Sequence, residues 1–237
     1  NVNGIAPLGN RFAGIAIFGS PNNIVGGTTA GSANLFAANR LAGVQISGAS
    51  STGNKIIGNN IGTNLEGNCT VDGVPNSCLL GNFVGLRIDD GASNNTVGGV
   101  VAGSRNIISG NTNAGIRING TLFGAEPQIT TDNVVVGNLI GLQRYNTKPD
   151  IDPWGNGGDG IYIGFGVRGN RVGGTTPAER NVISDNGRAG VRIEGSSADA
   201  NFVLGNFIGT NATGSADLRF GNDGAGVVID KGADNVI

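Results

Sequence analysis

The side chains of this sequence that could do acid–base or ionic chemistry are arginines and aspartates in short segments where apolar and polar residues alternate. Arg87 and Arg117 hold the same position in two such segments, GLRI and GIRI, and Asp89 and Asp90 follow the first of them. Two carboxyl groups about 5 to 9.5 Å apart across a cleft are what glycoside hydrolysis requires. The same residues could instead form salt pairs on a solvated sheet, where a cross-strand pair contributes only about 0.2 to 1 kcal/mol.

A second group of reactive side chains lies in residues 142–159, which hold the only Trp and one of the two Tyr of the chain. Binding residues concentrate in loops on rigid scaffolds, so an exposed Trp and Tyr beside carboxylates would form a platform for a sugar. The Trp could equally cover the neighbouring part of the chain and anchor a long loop. The ligand-binding candidates are Arg144, Tyr145, Asp150, Asp152 and Trp154.

The two cysteines, Cys69 and Cys78, enclose the turn-rich segment TVDGVPNS. In a secreted protein a disulfide that closes this loop is the natural interpretation. Two free thiols, or half of a metal site, are the alternatives.

Composition excludes several classes of protein and of site. The chain has no His, so it cannot contain a Ser-His-Asp triad or a His-ligated zinc site. A net charge of -2 and a pI of 5.1 disfavour nucleic-acid binding, and the apolar stretches are too short for membrane insertion. No EF-hand loop or glycine–aspartate nonapeptide array is present, so we expect no metal and no cofactor. Calcium binding is the alternative, but no motif in the sequence supports it.

Turn-forming residues dominate the sequence and favour β structure. Of 237 residues, 45 are Gly and 32 are Asn. Both are poor helix formers and both tolerate the positive φ of tight corners. This composition therefore disfavours a helical fold and favours a turn-rich all-β fold.

An internal repeat fixes the arrangement of the strands. The pattern Gly-Xaa-Xaa-Ile recurs seven times, and each copy is followed by two further short apolar elements that begin with Asn. The spacings between copies are 29, 42, 30, 45, 30 and 36 residues, so short and long units alternate. The copies begin at Gly14, Gly43, Gly85, Gly115, Gly160, Gly190 and Gly226.

One such unit cannot bury its own apolar face, whereas stacked units bury a continuous core. The sequence therefore predicts an all-β fold, a right-handed parallel β-helix with three short strands per coil and about seven coils. Residues 1–237 form a single solenoid domain in this interpretation. Because the chain begins and ends inside a repeat, we expect it to be a fragment of a longer repeat protein.

The Asn that opens the second element of each unit should stack along the helix axis. Identical amide side chains at one position of successive coils can hydrogen-bond to one another, as in cross-β ladders. Ordinary turn residues are the alternative. The predicted ladder consists of Asn23, Asn54, Asn95, Asn133, Asn170, Asn201 and Asn235.

Insertions interrupt the repeat at residues 65–80, 121–132, 142–159 and 211–220. The first, third and fourth fall at the same point of alternate units, so these loops should lie along one side of the helix.

The segments NNTVGG, RNVISDN, GNFIGTNATG and GNDGAGVVI resemble right-handed parallel β-helix repeat proteins of the pectin-lyase-like superfamily. More narrowly, they resemble the NosD/CASH-type repeats of large secreted and surface bacterial proteins. The resemblance implies an extracellular or cell-surface module with a structural or adhesive role that binds a polysaccharide or another cell-surface ligand through the long-coil loops. Its ends could stack on copies of itself or on the rest of the parent chain.

The resemblance also supplies an alternative, a polysaccharide-active enzyme, above all a lyase of acidic polysaccharides. Lyases of this fold use Arg or Lys as the base and carboxylate-held Ca²⁺ on an exposed sheet groove. This would assign the catalysis to Arg87, Arg117, Asp89 and Asp90, although an Arg base needs unusual activation because its pKa exceeds about 12. The Gly-His-Gly segment of the hydrolases is missing here.

Overall fold

The computed structural model of the chain describes residues 8–67, 80–121, 127–143, 155–215 and 220–237. Within these residues every strand belongs to a stacked parallel sheet, apart from isolated bridges, and one short 3₁₀ helix spans Pro177–Glu179. The predicted right-handed parallel β-helix with three principal strands per coil is confirmed.

The first sheet is formed by the Gly-Xaa-Xaa-Ile segments, one from each coil. Its strands, in spatial order, are β1 (Ala13–Phe18), β4 (Ala42–Ser47), β7 (Val84–Asp89), β10 (Ile116–Ile118), β14 (Ile161–Ile163), β18 (Val191–Glu194) and β22 (Val227–Asp230).

The second sheet contains β2 (Ile24–Gly26), β5 (Lys55–Ile57), β8 (Thr96–Gly98), β12 (Val134–Val136), β16 (Arg171–Gly173) and β20 (Phe202–Leu204). The third contains β3 (Leu35–Phe36), β6 (Asn60–Ile61), β9 (Ile107–Ile108), β13 (Leu139–Ile140), β17 (Val182–Ile183) and β21 (Phe207–Ile208). A short fourth sheet lies at the corner between the first two: β11 (Thr130–Thr131), β15 (Val167–Arg168) and β19 (Ala198–Asp199). Part of the insertion at 121–132 is thus regular strand.

The core runs along the inside of the helix because alternate residues of each strand point inward. Ile46, Ile88 and Ile118 are directly paired in neighbouring strands and have no exposed surface. Burying each such side chain stabilises the fold by about 1.5–3 kcal/mol relative to leaving it exposed.

The glycine at the start of each first-sheet strand allows the coils to approach closely. A Cβ atom on Gly190 would lie 2.7 Å from the carbonyl oxygen of Gly226 in the next coil and 2.7 Å from Ile208 Cγ2. Any larger residue would therefore push adjacent coils apart.

The predicted asparagine ladder is confirmed. Each Asn donates through Nδ2 to Oδ1 of the Asn in the next coil, from Asn23 to Asn235. Its members between Asn54 and Asn201 have no exposed surface.

Two further ladders stand at the other corners. One opens the third sheet and comprises Asn34, Asn59, Asn106, Asn138, Asn181 and Asn206. The other precedes the first sheet and comprises Asn10, Asn39, Asn82, Asn111, Asn156, Asn186 and Asn222. All three ladders point the same way, because each side-chain amide donates towards the C-terminal end of the helix.

Candidate functional site

The outer face of the first sheet carries the polar side chains of the repeat. Neighbouring strands align Gln45, Arg87, Arg117, Tyr162 and Arg192 in one column. The residues before and after each of them are buried or point inward, as the alternation predicts. The sheet therefore brings both candidate arginines, Arg87 and Arg117, side by side on one surface.

The three candidates on coil three form one cluster. Arg87 Nη2 lies 2.6 Å from Asp89 Oδ2 in an ion pair whose carboxylate is almost fully buried. Asp90 follows the strand with a left-handed backbone, φ 54°. Its carboxylate accepts hydrogen bonds from the Ser47 hydroxyl at 2.7 Å and from the Thr121 hydroxyl. Side chains from three successive coils thus meet at this corner.

The two carboxyl groups of the cluster differ in their affinity for a proton. Burial raises the pKa of Asp89 above its ordinary value, and it outweighs the opposing charge of Arg87. Burial would also raise the pKa of Asp90, but hydrogen bonds from Thr121 and Ser47 outweigh it and lower that pKa. When two neighbouring acids are shifted in opposite directions, one is suited to donate a proton and the other to stay charged.

Burial limits what this pair can do. Asp89 is only 3% exposed, and its Oδ1 and the Nε of Arg87 are buried without a hydrogen-bond partner in the described part of the chain. A substrate could reach Asp89 only if the cluster opened. In the geometry observed, the cluster joins coils together and the Asp89 carboxyl does not face solvent.

Further along the column, an aromatic ring lies between two arginines. Arg117 Cζ lies 5.5 Å from the centre of the Tyr162 ring, which is near the outer limit of about 6 Å for a cation–π contact. Arg192 Nε lies 3.2 Å from Asp159 Oδ1. Burial, and then the nearby Glu194 carboxylate, raises the pKa of the Tyr162 hydroxyl.

The remaining sequence candidates lie outside the described residues. These are the ligand-binding candidates Arg144, Tyr145, Asp150, Asp152 and Trp154, and the disulfide candidates Cys69 and Cys78. The loops that carry these candidates follow strands of the third sheet: residues 65–80 follow β6, and residues 142–159 follow β13. The insertion 211–220 follows β21, and these three strands alternate with the others along the sheet.

Sequence analysis missed a groove at the corner between the second and third sheets. It has a volume of about 670 Å³ and is lined by the loops 27–33 and 99–105, by Pro177 and Ala178, and by Gly58 and Gly137 between them. The segments GGTTAGS, GGVVAGS and GGTTPAE lengthen this corner in alternate coils, and their recurrence was the available signal. Arg105 borders the groove and donates through Nε to the carbonyl oxygen of Gly137 at 3.1 Å.

Neither a metal-ligand cluster nor a membrane-spanning helix is found among the described residues. No three side chains of the His, Cys, Asp and Glu type converge in that part of the chain. Its only helix is the 3₁₀ turn, and no helix there is long and apolar enough to cross a bilayer.

Comparison with protein-family models, with curated proteins and with solved structures finds no significant match for the chain. The parallel sheets and the asparagine ladders therefore carry the fold assignment on their own.

Proposed function

We propose that the chain is a structural and adhesive module, placed outside the cell or at the cell surface, that presents a rigid β-helix to a polysaccharide. The observation that carries this proposal is the continuity of the three asparagine ladders. Each coil is tied to the next by parallel strand pairing and by amide side chains at three corners. Fully satisfied buried polar networks of this kind make a structure rigid.

The surface of the module supports the binding part of the proposal. Loops and side chains repeat along the axis at intervals of about 4.8 Å per coil, the spacing of hydrogen-bonded strands. A repeating surface of this kind suits a polymer, since successive units of the ligand can meet equivalent positions of the protein. The insertion loops with Arg144, Tyr145, Asp150, Asp152 and Trp154 belong to this proposal as contact residues.

The proposal includes a family and a mode of association. We assign the chain to the pectin-lyase-like β-helix repeat proteins with NosD/CASH-type repeats, on the segments quoted above. Because all three ladders run in one direction, stacking on further coils or on another copy would join unlike ends, with amide donors of one end facing amide oxygens of the other.

A polysaccharide panel tests the proposal. Neutral and acidic polymers are incubated with the chain, with and without Ca²⁺, and both retained protein and released products are measured. Binding without products supports an adhesive module. Binding to none of the polymers overturns the adhesive part.

The same panel tests the alternative function, a lyase of acidic polysaccharides. Unsaturated uronates or new reducing ends would establish an enzyme and direct mutagenesis to Arg87, Arg117, Asp89 and Asp90. The Arg87–Asp89 ion pair speaks against Arg87 as a base, because the carboxylate favours the protonated guanidinium.

A further inference from the structure

The groove at the corner between the second and third sheets is long and narrow. It begins at the loop of the first coil, which holds Thr28 and Thr29, and it reaches Pro177 and Ala178 in the fifth coil. Four coil spacings separate these ends, which is about 19 Å along the axis. A volume of about 670 Å³ spread over this length leaves a narrow cross-section. The shape therefore suits an extended chain better than a compact ligand.

The loops of the first and third coils bring unpaired main-chain donors to this groove. Four of their N–H groups have no acceptor within the described part of the chain, namely those of Thr28, Thr29, Val100 and Val101. The two loops touch, since a Cβ atom on Gly103 would overlap the carbonyl oxygen of Thr28. An extended peptide laid along the groove can accept hydrogen bonds from such donors through its own carbonyl groups.

The equivalent loop of the fifth coil shows how a carboxylate binds at this corner. In GGTTPAE, the Glu179 carboxylate accepts hydrogen bonds from the N–H of Thr176 at 3.1 Å and from its hydroxyl at 2.9 Å. In GGTTAGS of the first coil, Thr29 stands in the position of Thr176, and Ser32 stands in that of Glu179. The Ser32 hydroxyl donates to the carbonyl oxygen of Thr29. Thr29 therefore offers an N–H and a hydroxyl to a carboxylate that its own loop does not supply.

Arg105 makes the groove positive. Its Nε donates to the carbonyl oxygen of Gly137 at 3.1 Å, and its two Nη groups have no partner within the described part of the chain. Among the described residues that line the groove, none is acidic. A guanidinium beside a carboxylate is also the arrangement in the fifth coil, where Arg171 Nη1 lies 2.8 Å from Glu179 Oε1. A partner that carries carboxylates is therefore complementary to the groove in charge.

The rim of the groove is aliphatic. Val100 and Val101 are 55% and 62% exposed, and Ala30, Ala102 and Pro177 are exposed beside them. No Phe, Tyr or Trp is found among the described residues that line it. A sugar ring would have no aromatic face to stack on here, whereas aliphatic side chains of a peptide can pack against the valines.

We propose that the groove binds an extended acidic peptide segment of a partner protein. Carbonyl groups of the peptide accept hydrogen bonds from the loop N–H groups, one carboxylate binds Thr29, and a second pairs with Arg105. Two coils separate these positions, and this distance of about 9.6 Å corresponds to about three residues of an extended chain. The partner segment therefore has acidic residues about three positions apart, with aliphatic residues near them. This site is independent of the polysaccharide binding proposed above.

Titration calorimetry of the whole chain with blocked hexapeptides tests the site. The probes are Thr-Glu-Val-Thr-Glu-Val, the same peptide with Gln in place of both Glu, and an oligomer of galacturonic acid. Arg105→Gln removes the positive charge of the groove. Ser32→Glu gives the first loop a carboxylate of its own, which should occupy Thr29 as Glu179 occupies Thr176. Arg180→Gln is the matched control, because Arg180 donates through Nε to the Gly205 carbonyl oxygen in the same way but does not line the groove.

We expect the Glu peptide to bind about tenfold or more tightly than its Gln analogue, and to weaken about tenfold in Arg105→Gln and in Ser32→Glu. Arg180→Gln should stay within about twofold of the unmodified chain. Equal affinity for the two peptides, or binding of neither, would overturn the acidic partner. Equal losses in Arg105→Gln and Arg180→Gln would overturn the location. Tighter binding of the galacturonic acid oligomer, with the same dependence on Arg105, would overturn the peptide as the ligand.

Discussion

Asn133 donates two hydrogen bonds to a single oxygen of Asn170. Its backbone N–H and its side-chain Nδ2 both lie 3.0 Å from Asn170 Oδ1. Asn170 in turn donates through Nδ2 to the carbonyl oxygens of Thr130 and Arg168, each at 3.2 Å. Neither asparagine has exposed surface. One amide side chain thus satisfies buried donors and acceptors of two coils, which water cannot reach.

Replacing Asn170 with alanine should destabilise the fold strongly. The change leaves the buried backbone N–H of Asn133 without its acceptor and removes the amide donor to the Thr130 carbonyl oxygen. Each unsatisfied buried group costs about 1–3 kcal/mol. We expect a loss of about 2–5 kcal/mol in the free energy of unfolding, measured by urea denaturation.

Arg168→Ala is the control for this prediction. Arg168 is exposed and lies in β15, next to the same corner. Its replacement should change the free energy of unfolding by no more than about 0.5 kcal/mol. Equal losses for the two variants would show that the ladder adds nothing beyond ordinary turn residues.

Much of the fold could be predicted from the sequence because the repeat shows which residues of successive coils lie side by side. Once Gly115 and Gly190 are recognised as equivalent, strand register follows. The ladder that precedes the first sheet was not predicted, although the sequence contains its signal. Six of its seven Asn stand four residues before the glycine of the Gly-Xaa-Xaa-Ile segment, and only Asn82 stands three before Gly85.

The site could be predicted only in part. Alternation places Arg87 and Asp89 on one face, so their ion pair is accessible to sequence reasoning. The hydroxyl partner of Asp90 is Thr121, which is 31 residues away and arrives with the next coil. The position of the Tyr162 ring depends on the absence of a side chain at Gly164, and a motif does not reveal such a contact.

Replacing Gly190 with valine should separate two coils. Its Cβ would approach the Gly226 carbonyl oxygen and Ile208 Cγ2 to 2.7 Å, and the two methyl groups add to the overlap. Overpacking of this kind costs about 1–3 kcal/mol or more. The exposed Arg188→Ala, two residues earlier, should leave the melting temperature nearly unchanged. If thermal melts of the two variants coincide, the close approach of the coils at Gly190 is wrong.

The ionisation of Asp89 should make the stability of the protein depend on pH. A raised pKa means that the folded protein holds this proton more tightly than the unfolded chain does. The stability contributed by the protonated carboxyl is therefore present below the ordinary value of 3.8 and is lost as the pH rises through the folded pKa. Asp89→Asn cannot ionise and lacks this loss. The melting temperature of the variant relative to that of the unmodified chain should therefore rise as the pH increases through the folded pKa.

Asp90→Asn is the comparison variant, because its stability relative to the unmodified chain should change with pH in the opposite direction. The lowered pKa of Asp90 contributes stability that is present above 3.8 and lost as the pH falls through the folded pKa. This variant should melt below the unmodified chain at neutral pH, and the deficit should close in acid. Asparagine tolerates the left-handed backbone at this position, so strain does not confound the comparison. Melting differences that change with pH in the same direction for both variants would contradict the proposed cluster.

Replacing Gly103 with alanine should cost more than the same change at Gly31. The two glycines hold equivalent positions in GGVVAGS and GGTTAGS, with φ of 84° and 83°. Alanine at either site must adopt a left-handed backbone, at a cost of about 1–2 kcal/mol. Within the described part of the chain, a Cβ at Gly31 meets nothing within 4 Å, whereas one at Gly103 overlaps the carbonyl oxygen of Thr28, two coils away. We therefore expect urea denaturation to show an additional loss of about 1–3 kcal/mol for Gly103→Ala. Equal losses would mean that the corner loops of alternate coils do not support one another.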